Sequence, residues 1–350
     1  MNASSSVTVG RTVDWEFAAT VGAKLVRSAA PVTEYTRRQA MDELAEAARK
    51  AEGPVRDVTG LAEDVAITDA RIVDRAEWVR AATESMRVMT GGEAGAGTGL
   101  RLGRRVTGAQ TGAVLAFVSS GILGQYDPFG SDGGELLLVY PNVIAVERQL
   151  RVSPTDFRLW VCLHEVTHRV QFRANPWLSQ HMSQSLATVT DDGGQELTDV
   201  IGRLGEFVRA KRAGSDPNPN GEGVVGLLRA IQSEPQRQAL DQLLVLGTLL
   251  EGHADHVMDA VGPKVVPSVA TIRRRFDERR QRKQPPLQRL LRTLLGFDAK
   301  MNQYTRGKAF VDHVVDRVGM TAFNTVWTSP ETLPLPTEVD EPQRWIDRVL

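Results

Sequence analysis

Apolar residues recur at spacings of three and four along most of the chain, the period of helices that bury one face. The pattern predicts helices at about 13–29, 33–51 and 74–90, the last capped by Asp74 and stopped by Gly91-Gly92. GGEAGAGTG (91–99) reads as a flexible connection, followed by a small-residue helix to about 124. The turn-rich YDPFGSDGGE then leads into LLLVY (136–140), a short apolar run that reads as a strand. From Asp156, the residues Phe157, Trp160, His164, His168 and Phe172 keep helical spacing until Asn175-Pro176 ends it. Further helices are expected near 194–212, 224–233, 236–261 and 298–319. SDPNPNGEG (215–223) reads as a loop, Pro263 and Pro267 as breaks, and the C-terminal end is Pro-rich. The fold class expected is mainly α with a small β component. Residues 1–12 form a tail, 13–99 an N-terminal helical region, and 100–350 a region that forms one compact unit with those helices.

Composition narrows the function classes. Hydrophobic residues make up 41% and charged residues 24%, with a formal net charge of −1, so no strong field points to nucleic acid or an anionic membrane. The single cysteine, Cys162, cannot form an internal disulfide, which suits a reducing, cytoplasmic setting. The N-terminus does not read as a signal peptide. The stretch 104–123 carries Arg104, Arg105 and Gln110 and falls short of a membrane span; its Gly108 and Gly112 suggest close helix packing instead. RRRFDERRQRK (273–283) reads as a solvated helix face, with no aromatic stacking motif beside it.

The chemistry lies in HEVTH, which sits mid-helix among apolar residues. A spacing of four puts His164 and His168 on one side of the helix, where two imidazole nitrogens can bind one Zn²⁺. Glu165 is one step round and can reach a metal-bound water as a general base without ligating the metal. Two core histidines could be there by accident, but such a pair has no need of a carboxylate at that one position.

A third ligand must come from elsewhere. The extended pattern HExxHxxGxxH is excluded, because its Gly position holds Gln171 and its last His position Ala174. The strongest stretch is LLEGHADHVMD (249–259), on a helix whose preceding LLVLGTLL is too apolar for the surface. An acid buried at its end needs a cation. Glu251 and Asp255 lie about 40° apart on a helix, while His253 points about 160° away from Glu251. Glu251 as ligand is therefore preferred over His253, with Asp255 placed to accept the other ring N–H of a ligand histidine. Gly252 would permit close packing of a neighbouring helix or ease its own; the sequence does not choose.

HExxH, a downstream Glu and an Asp four residues later resemble the gluzincin branch of the zincin metallopeptidases. More closely, DFRLWVCLHEVTHRVQF, NPWL, LLEGHADHVMD, KMNQYTRGKAF and the VW..PE.LP ending resemble a bacterial family of zincin-like hydrolases, often labelled as associated with deazaflavin-coenzyme biosynthesis or as zinc-dependent metalloproteases. The resemblance runs from Asp14 to the C-terminus. It implies a zincin-like metallopeptidase fold, one zinc per chain on His164, His168 and Glu251, Glu165 as base, and Asp255 as the supporting acid. It also makes Tyr304 the first choice for a donor to the oxyanion of the transition state, ahead of His313, His256 and His253. The chain departs from thermolysin-like enzymes in its long spacing between HExxH and Glu251 and in its shortage of strands. The expected function is hydrolysis of peptide or amide bonds, with LLLVY near the cleft and able to offer backbone groups to an extended substrate. Two rivals stay open: a hydrolase of a small-molecule amide, and a non-catalytic protein that binds zinc to hold two helices.

Overall fold

The apolar run at 136–140 becomes the central strand of a three-stranded sheet, and it is buried because helices cover both of its faces. A computed structural model describes residues 9–62, 64–92, 101–130, 133–190, 234–281 and 297–350. The helices expected at 194–212 and 224–233, the loop at 215–223, most of the 91–99 connection and the first eight residues of the tail lie outside them. Among the described residues the helices are α1 (Trp15–Leu25), α2 (Glu34–Thr59), α3 (Arg75–Met89), α4 (Arg101–Val118), α5 (Tyr140–Leu150), α6 (Pro154–Ala174), α7 (Trp177–Thr190), α8 (Glu234–Val265), α9 (Val269–Gln281), α10 (Phe297–Phe323) and α11 (Pro342–Val349). The strands are β1 (Arg71–Val73), β2 (Gly124–Asp127) and β3 (Glu135–Val139). The protein is mainly α with a small sheet, as the pattern implied.

The strand order is β1-β3-β2, with β1 parallel and β2 antiparallel to β3. Leu136 and Leu138 join the main core with Tyr126 and the apolar residues of α6. Leu137 and Val139 turn to the other face, against Val73, Trp78, Val79 and Ala82 and Leu115 of α4. This period-two split is what a strand buried on both faces requires. It also corrects one expectation: LLLVY is hydrogen-bonded on both sides, so its backbone cannot pair with a substrate.

Caps set several boundaries. Asp74 caps α3 in a reciprocal box with Glu77. Ser153 caps α6, with Pro154 in the first turn, so the HEVTH helix starts two residues before Asp156. Gly262 (φ 63°) and Gly319 (φ 81°) break α8 and α10 where the sequence pattern ends them. By contrast, α2 runs through Gly53-Pro54 to Thr59, because Ala47, Ala48, Ala51, Val55 and Thr59 keep one face buried past the proline. The expected tail ends in a 3-10 turn (Val9–Thr12) held by a hydrogen bond from the Trp15 indole to the Gly10 carbonyl.

Buried ion pairs fix α6 from behind. Arg158 donates to Glu147 at 2.8 Å and also binds Glu43 of α2, while Arg169 pairs with Glu52, itself 1% exposed. Pairing is what makes such charges tolerable inside a protein. Gly108 and Gly112 of α4 admit the backbone of α1 at Asp14 and Ala18, the close packing their spacing suggested. The basic run is less solvated than expected: Arg273 binds Asp255 and Asp259, Arg275 the carbonyls of Leu150 and Arg151, and Arg279 the side chain of Gln149. No helix among the described residues is long and apolar enough to cross a membrane.

Candidate metal centre

α6 and α8 bring three donors together. His164 and His168 project from one face of α6 with their Nε2 atoms 3.2 Å apart and their rings nearly perpendicular, at 88°. A Glu251 carboxylate oxygen from α8 lies 3.4 Å from His164 Nε2 and 3.8 Å from His168 Nε2. Four ligands arranged tetrahedrally around a zinc ion at its usual bond lengths stand about 3.3 Å from one another. The separations observed are close to that edge length, and the donor set of two imidazoles and a carboxylate is one zinc favours. The residues fit the metal.

His253 does not join them. It is fully buried, stacked on Phe323 and set edge-on to Trp327, both at 5.4 Å between ring centroids. Its Nδ1 is 2.9 Å from Gln171 Nε2, and burial, with the charges of His256 and His168, lowers its pKa to about 3. Of the two candidates for third ligand, the structure brings only Glu251 to the histidine pair.

Glu165 faces the sheet beside this triad. In the antiparallel register Gly124 is opposite Leu138, so it points to the same face of the sheet, toward α6. A Cβ at Gly124 would fall 2.7 Å from Glu165 Cγ and 2.9 Å from its Cδ, so the carboxylate occupies the space a side chain on β2 would take. The Glu165 pKa rises to about 7: burial drives it up, the charge of His164 opposes, and the charge of Glu251 adds to the rise. A carboxylate so tuned can take a proton near neutral pH and give it back.

Asp255 is placed otherwise than expected. Its carboxylate receives Arg273 at 3.3 Å, and it acts on His164 through its charge. The acceptor for a ring N–H of the histidine pair is instead Gln171, whose Oε1 is 2.9 Å from His168 Nδ1. Sequence reasoning met Gln171 only as the residue that ruled out a third histidine nearby; its position three residues after His168 was the available signal. Gly124 carried none. Among the proposed oxyanion donors, Tyr304 lies on α10, outside the residues whose side chains are described. His256 is engaged with Asp312 at 2.7 Å, and the buried Nε2 of His313 has no hydrogen-bond partner among the described residues.

The metal-free site makes a measurable prediction. Burial disfavours a charge on His164, but the hydrogen bond and charge of Glu251, with Glu165 and Asp255 further off, outweigh it and raise the pKa to about 9. The ring is therefore protonated at pH 8 and must lose that proton to bind metal. Zinc binding at pH 8 should release about one proton from this ring, and the apparent affinity should fall roughly tenfold for each pH unit below 9. Calorimetry in buffers of different ionisation heat measures the release directly; none at pH 8 would contradict this account of His164.

Comparison with known proteins agrees with this chemistry. The family model of the zincin-like metallopeptidases matches residues 13–346. A solved structure from Chloroflexus aurantiacus, described as an inferred hydrolase with a novel fold, is 30% identical with a TM-score of 0.65, covering 96% of this chain and 98% of its own. A search of the curated proteins finds no match.

Proposed function

Because this chain belongs to the zincin-like metallopeptidase family, we propose that it is a zinc-dependent peptidase in which Glu165 activates the attacking water. The observation that carries the reading is the Glu165 carboxylate, one step along α6 from the ligand pair and pressed against β2. Zinc bound at such a site polarises a carbonyl and lowers the pKa of a water to about 7. His164, His168 and Glu251 would hold it. Glu165 accepts a proton from the water and delivers it to the departing amine nitrogen. Its pKa near 7 serves both halves of that transfer.

A peptide is favoured as substrate by the sheet edge at the site. β2 pairs with β3 on one side and with no strand on the other among the described residues, and its Gly124 lies against Glu165. An extended chain added along that edge would pass the base with its backbone hydrogen-bonded. The non-catalytic rival needs a fourth protein ligand, and His253, the obvious one, is engaged elsewhere. The small-amide rival uses the same groups and is separated by experiment.

The test is a quenched peptide library and a panel of small amides assayed with zinc-loaded protein, using Glu165→Gln as the blank. Peptide cleavage by the wild type alone supports the proposal. Turnover of small amides only would replace it with the rival hydrolase, and full zinc occupancy with no turnover of either class would leave a binding protein.

A further inference from the structure

Gln171 is fully buried on α6, between the metal ligands and α8. Its amide makes three polar contacts: Oε1 to His168 Nδ1 at 2.9 Å, Nε2 to the Leu250 carbonyl at 3.0 Å, and Nε2 to His253 Nδ1 at 2.9 Å. The Leu250 carbonyl can only accept, so the group facing it must be the NH₂. That fixes the amide, and Oε1 is then the atom facing His168. Since Oε1 can only accept, His168 must carry its proton on Nδ1. When the ring is neutral, its Nε2 lone pair then points toward His164 and Glu251, the orientation a metal ligand needs. The second amide hydrogen goes to His253 Nδ1, so His253 carries its proton on Nε2. Its ring, held by Phe323 and Trp327, serves as a rigid stop for the amide.

We propose that Gln171 is a positioning residue that sets the tautomer of His168 and ties that ring to the backbone of α8 next to Glu251, so that metal affinity depends on an amide that touches no metal. The inference rests on the metal reading above for its affinity half; the tautomer half concerns the metal-free protein. A carboxylate is the commoner partner for a ligand imidazole. Here it would turn an oxygen toward the Leu250 carbonyl, and the link to α8 would become a repulsion. The amide can accept from one helix and donate twice to the other.

The experiment is ring ¹H–¹⁵N correlation spectroscopy of the ¹⁵N-histidine-labelled, metal-free protein at pH 8, with zinc affinity from chelator competition, for wild type, Gln171→Met and Gln171→Glu. The wild type should show His168 as the Nδ1–H form and His253 as the Nε2–H form. Gln171→Met, of similar size, should lose the single His168 tautomer and bind zinc roughly 10- to 100-fold more weakly. Gln171→Glu should restore the His168 tautomer while its melting temperature falls, because the contact to Leu250 is lost. A folded wild type with His168 as Nε2–H overturns the proposal, as does a Gln171→Met protein whose tautomer and zinc affinity are unchanged. If Gln171→Met fails to fold, the wild-type spectrum still decides the tautomer. If the wild type binds no zinc, the proposed function fails, and the spectrum still tests what Gln171 does to His168.

Discussion

Glu165→Gln should keep about one zinc per chain and lose turnover by roughly 10²- to 10⁴-fold, the usual share of a general acid–base. The two effects separate because Glu165 is not among the three converging donors, which are His164, His168 and Glu251. Glutamine fills the same volume, so the contact with Gly124 and the packing of α6 on β2 are kept. Only the ability to take up and release a proton goes. Glu251→Ala should differ in its zinc content, because removing the one carboxylate of the donor set takes away zinc as well as turnover. Elemental analysis beside a turnover assay distinguishes the two variants. Zinc loss in Glu165→Gln would make that carboxylate a ligand, and full turnover without it would put the base elsewhere.

The three side chains that cluster, His164, His168 and Glu251, could be picked out in the sequence because each has a local signature. A spacing of four on one helix face needs no tertiary knowledge, and neither does the preference for Glu251 over His253, which follows from helix geometry and the burial of LLVLGTLL. The partners of those donors were not legible. Asp255 has helix geometry suited to supporting a ligand, yet Arg273 from α9 captures it, and the position of α9 is set by packing across Asp156 and the carbonyls of α5. For Gln171 the sequence offers only its spacing from His168; its two contacts to Leu250 and His253 depend on α8 lying across it. β1 and β2 span three and four residues, too short for an alternating pattern to emerge, and β2 reads GQYD, half of it polar. They exist because β3, an apolar run, has two edges to satisfy. Glu165, the proposed base, therefore stood out in the sequence, while the strand it leans on did not.

The largest stability effect is expected where α8 crosses α10, and there helix propensity and packing predict opposite signs. A Cβ at Gly252 would overlap the carbonyl carbon of Gly307 and crowd the Lys308 nitrogen, and a Cβ at Gly307 would overlap the Thr248 carbonyl oxygen. The question left open about Gly252 is thus answered by close packing. Judged by helix propensity alone, Gly252→Ala would stabilise by about 1 kcal/mol. The atoms in the way are backbone, however, and cannot rotate aside, so the helices must separate; overpacking of this kind costs about 1–3 kcal/mol and occasionally more. With backbone as the obstacle the upper end applies, and the net result should be a loss of about 2 kcal/mol. Gly247 supplies the control, because it lies on the same helix and a Cβ there meets nothing within 4 Å. Gly247→Ala should therefore gain the propensity term and melt higher, while Gly252→Ala melts lower. Because Gly252 follows Glu251 directly, separating the helices also displaces the proposed zinc donor, so zinc affinity should fall in Gly252→Ala and stay constant in Gly247→Ala. Equal melting shifts for the two variants would mean that the crossing yields easily, and an unchanged zinc affinity in Gly252→Ala would mean that the crossing does not position Glu251.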